Sequence, residues 1–332
     1  MAEEKSVYQN LADRIFAPSP TIAGLFAMLA DEQEAKMLLA MPATAPQLAE
    51  RFSLALETME AKLDEFFKKG LAFKSKKPEG VLFRMCRDMV QFHDATILWP
   101  EAPRAYFDLW QKFMEEEWPA YAKMAEQILP RPMTRIIPVE KSLSPRAQIL
   151  AYENVRELID KSDPIAVTKC TCRLIAHKCD GPVEVCLQVG KAAAYNLERG
   201  TGRQVSREEA MEIIRESEEA GLMHVTMNRS EDMHFICNCC GCCCIAMPVM
   251  IQHGTKMCDP SRYTAKVDPE VCEACGLCEE RCWFSALTVD QEKGYCLVDV
   301  EKCMGCGVCQ VTCPTGALTL EATRDETFIP AA

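Results

Sequence analysis

Two cysteine runs with the same internal spacing lie near the carboxy terminus: Cys272-x-x-Cys275-x-x-Cys278-x-x-x-Cys282 and Cys303-x-x-Cys306-x-x-Cys309-x-x-x-Cys313, the second followed by Pro314. Soft thiolates at this spacing suit two cubane [4Fe-4S] clusters. Three cysteines two residues apart wrap a loop around one face of a cluster, and the fourth, three residues on, leaves toward the neighbouring cluster. The spacing therefore predicts one cluster on Cys272, Cys275, Cys278 and Cys313 and another on Cys303, Cys306, Cys309 and Cys282. A shift of 31 positions superimposes the two runs. It also carries Val267-Asp268 onto Val298-Asp299, Gly276 onto Gly307, and Ala286-Leu287-Thr288 onto Ala317-Leu318-Thr319. The segment reads as a duplicated half-domain, and zinc on the same thiolates is the less favoured chemistry because it suits separate C-x-x-C pairs.

From about Val267 to Leu320 these paired motifs resemble a bacterial-type two-cluster ferredoxin. The resemblance implies a ferredoxin-like fold, single-electron transfer, and glycines at Gly276 and Gly307 that let backbone N–H groups approach the cluster sulfurs. One residue departs from the family pattern: Trp283 follows Cys282 where such ferredoxins usually carry proline. That change should leave ligation intact and alter the packing beside the Cys303 run.

A second concentration of thiols lies in the middle of the chain. Cys170-Thr171-Cys172-Arg173 follows a short apolar strand at 165–168, and Cys179 and Cys186 come next at seven-residue steps. Cys237, Cys239, Cys240, Cys242, Cys243 and Cys244 then fall within eight residues. Between these groups the pattern predicts a helix ending at Gly200, a capping box Ser206-x-x-Glu209 opening a helix that ends at Gly221, and a strand over 222–227. Ser144-Pro145 is expected to open an earlier helix reaching about Lys161. Two cysteine groups remote in sequence can thus meet at one edge of an α/β layer. Ten thiols would serve one or two additional iron–sulfur clusters, with zinc less favoured, and their pairing is open. His177 and His234 are near enough in sequence to ligate, although hydrogen-bonded histidines are commoner. Cys86, Cys258 and Cys296 stand outside the motifs and read as buried, inert thiols.

With 332 residues, the chain can form several domains; 21 cysteines, many adjacent, suit metal in a reducing compartment better than disulfides. A net charge of -12 disfavours indiscriminate attraction to nucleic acid or anionic lipid, and points to protein redox partners. No run approaches a membrane span and the first residues lack a leader pattern, so a cytoplasmic protein without membrane insertion is expected.

The positioning elements complete a multidomain α+β reading. The segment 1–88 should form helices over 22–30, 34–41, 47–52 and 54–69, with short strands at 71–73 and 81–83. It resembles a winged helix, the likeness carried by LAERFSLALETMEAKLDEFFKKGLAF. Glu57, Glu60, Asp64 and Glu65 would face DNA phosphates badly, while Lys68, Lys69, Lys74, Lys76, Lys77, Arg84 and Arg87 gather near the wing, so DNA is a possible but not favoured partner. An aromatic helical region over 89–130 and a proline-marked linker lead to the central α/β cysteine-rich module, 131–260, and the two-cluster ferredoxin domain, 261–332.

No nucleotide cofactor is evident: Gly200-Thr201-Gly202 follows a helix, and Val205 stands where a dinucleotide fingerprint needs glycine. With no catalytic residue legible, an electron carrier is favoured over a cluster-bearing regulator acting through the winged helix, and over an oxidoreductase with its substrate site in the central module.

Overall fold

The computed structural model describes residues 5–78, 80–140 and 150–331. Among them, one compact unit runs through Tyr121 and takes in Arg199–Thr201; the other comprises Ala122–Glu198 and the residues from Gly202 onward.

The first unit begins with α1 (Val7–Arg14), α2 (Pro20–Ala27) and α3 (Glu32–Leu39), each opened by an oxygen-bearing side chain on Ser6, Ser19 or Asp31 that satisfies orphan backbone N–H groups. The sequence reading missed α1, whose single polar cap is a weak signal. β1 (Ala43–Thr44) leads into α4 (Ala45–Phe52), where the Gln47 side chain accepts from the Thr44 N–H at 2.9 Å. α5 (Leu56–Lys69) buries Met59, Leu63, Phe66 and Phe67 and stops at Gly70, which supplies the positive φ of the cap. β2 (Ala72–Lys77) and β3 (Gly80–Met85) form a hairpin longer than its apolar residues predict, and β1 joins its far edge in the order β1-β3-β2. α6 (Met89–Ile97) and α7 (Arg104–Glu116) follow, and the boundary between the units falls within α8 (Trp118–Ile128). Tyr106, Trp110 and Phe113 recur at helical spacing on α7 and are fully buried; Phe92 stacks on Phe26 with ring centroids 4.1 Å apart.

The second unit is built on a seven-stranded sheet. β4 (Thr134–Ile137) lies in the stretch expected to be a linker. Its β-branched residues pair with β8, while the flanking Pro132 and Pro138 fall outside the ladder. The expected helix start at Ser144-Pro145 lies outside the described residues. The helix itself is shorter than predicted: Asn154 accepts from the Arg156 and Glu157 N–H groups and starts α9 (Val155–Asp160) afresh after a single 3-10 turn over Ala151–Glu153.

β5 (Ile165–Lys169), α10 (Thr171–Ala176), β6 (Glu184–Val189), α11 (Lys191–Arg199), β7 (Gly202–Gln204), α12 (Arg207–Glu219), β8 (Met223–Met227), β9 (Phe235–Cys239), α13 (Met247–His253) and β10 (Cys258–Asp259) complete the layer. Ser206 accepts from the Glu209 N–H as expected, but the Glu209 carboxylate turns to Arg203, so half of the predicted capping box forms.

The strand order is β10-β4-β8-β9-β6-β5-β7, antiparallel except for β10 beside β4. Alternation along the strands separates two faces. Val185, Leu187, Val189 and Ile236 pack with α9 and α12 on one; Ile136, Met223 and Val225 pack on the other with Met247 of α13 and with residues of the carboxy-terminal region.

That region contains β11 (Tyr263–Val267), α14 (Leu277–Arg281), β12 (Leu287–Asp290), β13 (Tyr295–Val298), α15 (Val308–Val311) and β14 (Leu318–Ala322). β11 pairs with β14 and β12 with β13, so the first strand of each half-repeat meets the last strand of the other. The internal shift of 31 positions reappears in the hydrogen bonds: Asp268 N–H donates to Ala317 O and Asp299 N–H to Ala286 O, both at 2.8 Å. Gly276 and Gly307, with φ of 80° and 76°, occupy equivalent caps at the starts of α14 and α15.

Candidate metal centres

Each carboxy-terminal run places its first cysteines in a loop and its third on a short helix. Cys272, Cys275, Cys278 and Cys313 line one cavity together with Gly276, Thr315 and Leu318; it holds about 350 Å³ of space, part of it open to solvent. Around the other run, the Cys303 sulfur accepts the Ala265 N–H at 3.4 Å and the Cys282 sulfur accepts the Ala286 N–H at 3.3 Å. Such N–H groups favour negatively charged sulfur. Burial pushes the Cys306 thiol up to about 12, with Cys282 and Cys303 among the neighbouring groups that raise it further. A metal must displace the thiol protons to bind.

Cys296, read from the sequence as a buried thiol outside the motifs, is buried beside the first run. Its sulfur lies 3.5 Å from that of Cys278 and lines the same cavity. The duplication carried the signal, because position 296 is the repeat equivalent of Ala265, whose N–H touches Cys303.

The central cysteines fall into two groups. Cys186 on β6 and Cys237 on β9 bring their sulfurs 3.7 Å apart, and Gln188 Nε2 donates to Cys186 at 3.2 Å. β5 ends by delivering Cys170 as the cap of α10, with Cys172 in the first turn. The neighbouring Cys172 and Cys239 thiols hold the Cys244 thiol well below its ordinary range, and Cys172 likewise lowers Cys170. These six thiols are Cys170, Cys172, Cys186, Cys237, Cys239 and Cys244.

The remaining four form a tighter group. Cys179 Sγ lies 3.8 Å from Cys240 Sγ and 3.7 Å from Cys243 Sγ, Cys242 and Cys243 are 3.7 Å apart, and all four sulfurs lie within 4.8 Å of one another. A hydrogen bond from Cys243, then the Arg173 charge, bring the Cys240 thiol down to about 4 against the effect of burial. Arg173 is itself buried and ties the loop after α10 to β9, donating to Pro182 O at 2.7 Å and Asn238 O at 2.5 Å. Neither histidine joins the group: His177 takes the left-handed cap position of α10, and His234 lies 3.4 Å from the Asp232 carboxylate. Cys86 and Cys258 are buried, their thiols raised to about 12 by desolvation.

Trp283 sits between the two cysteine systems. A Cβ added to Gly241, which lies between Cys240 and Cys242, would come within 2.4 Å of the indole, and Trp283 Nε1 donates to Gly221 O at 3.0 Å. Arg281 donates to the Glu218 and Glu219 carbonyls at the end of α12. The residue that departs from the ferredoxin pattern thus fills a contact with the central module. Replacing Trp283 by alanine should cost about 3 kcal/mol and leave iron content unchanged, as checked by anaerobic urea unfolding and iron assay. Equal stability of the two proteins would sink this role.

Residues 297–319 match the family of 4Fe-4S binding domains. No curated protein and no solved structure matches the chain. The chain therefore carries an iron–sulfur binding domain in its carboxy-terminal region, beside a separate concentration of cysteines. Among the described residues, no helix is long and apolar enough to cross a membrane.

Proposed function

We propose that this chain is an electron-transfer protein, or the electron-transfer subunit of a redox complex. Cys272, Cys275, Cys278 and Cys313 would hold one [4Fe-4S] cluster, and Cys303, Cys306, Cys309 and Cys282 the other. Such clusters, when bound, accept and release single electrons. Gly276 and Gly307 start the helices that carry the third cysteine of each run, and the Ala265 and Ala286 N–H groups supply dipoles that favour the charged sulfurs. Among the central thiols, Cys170, Cys172, Cys239 and Cys244, with Cys186 and Cys237 beside them, are the candidates for one further cluster.

The observation that carries the reading is the packing of Cys306 in one apolar cluster with Cys237, Cys239 and Cys244, along with Trp283 and Phe284. Thiols of the central module and of the second ferredoxin-like run share a water-poor interior, a suitable medium for exchange between redox centres.

The first unit is best read as a winged-helix-like docking domain, with its helix, turn, helix and hairpin over Ala45–Met85. Lys68, Lys69 and Lys74, part of the basic patch, pair with Asp64 and Glu65, and Lys74 also lies 3.7 Å over the Phe67 ring. These pairings lower the positive potential a DNA backbone would meet and favour a protein partner. The test is reductive titration of the full chain under anaerobic conditions, with DNA binding assayed on the same preparation. Reduction without a saturable DNA complex is expected.

A further inference from the structure

We propose that Cys179, Cys240, Cys242 and Cys243 form a structural site for a single tetrahedral zinc ion, separate from any iron–sulfur cluster. Four thiolates around zinc at about 2.3 Å place neighbouring sulfurs about 3.8 Å apart, the tetrahedral edge being ~1.63 times the bond. Three of the six sulfur pairs in this group lie 3.7 to 3.8 Å apart, and all six lie within 4.8 Å. These separations are far too long for disulfides, whose sulfurs lie about 2.05 Å apart. A cubane gives each thiolate its own iron corner and spreads its four sulfurs wider than the 4.8 Å within which all four of these lie. Among the described residues, the eight cysteines of the carboxy-terminal runs form no group of this tightness.

The placement explains why cysteines stand side by side in the sequence. Cys239 packs on the sheet face that also holds Cys244 and Cys306, whereas Cys240 and Cys243 are buried on the opposite face, with Cys179 and Cys242 packed against the same core. The end of β9 therefore splits the run Cys237-x-Cys239-Cys240-x-Cys242-Cys243-Cys244 between two sites: the turn after the strand carries Cys240, Cys242 and Cys243 to one core, while Cys237, Cys239 and Cys244 pack against the other. Three donors come from one turn after β9. The fourth, Cys179, comes from the loop between α10 and β6. An ion here fastens that loop to the turn, and the full set of four protein donors gives a closed coordination sphere, the mark of a structural rather than catalytic zinc. Four thiolates and a divalent ion carry a net charge of −2, and the buried Arg173 guanidinium offsets part of it.

The site is independent of the electron-transfer reading, since zinc has no accessible redox change. The test measures zinc and iron per chain in the anaerobically purified full chain and in Cys179→Ser and Cys242→Ser. The expected result is about one zinc per wild-type chain, lost from both variants while iron per chain stays constant. X-ray absorption at the zinc edge of the wild-type protein should show four sulfurs at about 2.3 Å, a readout that does not depend on either variant folding. Wild-type protein without zinc, or zinc in a shell of other than four sulfurs, overturns the proposal. So does loss of iron instead of zinc from the serine variants.

Discussion

Replacing Glu153 by alanine is expected to destabilise the second unit by about 3–5 kcal/mol. Glu153 and Arg262 are 1 % and 4 % exposed, and the carboxylate meets the guanidinium in a two-pronged contact with both oxygens at 2.8 Å. Glu153 also accepts the Leu150 N–H. The pair joins the turn before α9 to the residue that precedes β11, so it binds the central sheet to the carboxy-terminal region. Two charges removed from water attract each other strongly, and deleting one leaves the other without its counter-charge. The double replacement Glu153→Leu with Arg262→Met should recover most of the loss, because no charge is then left behind. Anaerobic urea unfolding of the three proteins measures this; a Glu153→Ala variant within about 0.5 kcal/mol of wild type, the range of ordinary surface changes, would contradict it.

Gly305→Ala is expected to abolish metal loading at the Cys303 run, with a loss of about four irons per chain. Gly305 has a φ of 64°, and an added Cβ would lie 2.1 Å from Tyr263 O and 2.3 Å from Ser261 Oγ. Ser261 holds the same segment, donating through Oγ to Gly305 O at 2.7 Å and through its N–H to Met304 O at 3.1 Å. Backbone on one side and a fixed hydroxyl on the other cannot both yield, so the loop carrying Cys303 and Cys306 must move. Gly276→Ala supplies the comparison: its φ of 80° carries a similar strain of roughly 1–3 kcal/mol, but nothing lies within 4 Å of its added Cβ. Iron per chain should fall sharply in the first variant and little in the second. Equal iron in both would remove the steric argument.

Much of this architecture was legible because its determinants are local. Gly70 ends α5, Ser206 starts α12, and the duplicated runs predict equivalent caps at Gly276 and Gly307. The strands bearing the central thiols were harder to read. Val185, Leu187 and Val189 alternate as a half-buried strand should, but Cys186 among them looked like part of a ligand motif. β4 was hidden by flanking prolines, and its strand status depends on pairing with β8, about ninety residues away in sequence.

The grouping of the ten central cysteines was not legible at all. It follows from where β9 ends and how the turn after it folds back on the loop bearing Cys179, which brings Cys240, Cys242 and Cys243 to that sulfur and leaves Cys237 and Cys239 on the strand. Trp283 was noticed as a departure from a familiar pattern, but its contact with Gly241 arises only when the two cysteine systems are folded against each other.

The most direct test of the central claim is reductive titration of the full chain, purified without oxygen, with iron and sulfide counted and paramagnetic signals recorded. The electron-transfer account predicts at least about eight irons per chain, at ~4 for each cubane, matched by acid-labile sulfide. It also predicts reversible uptake of one electron per cluster from a low-potential donor. Carboxy-terminal runs loaded with zinc, or clusters that neither accept nor return electrons, would contradict it.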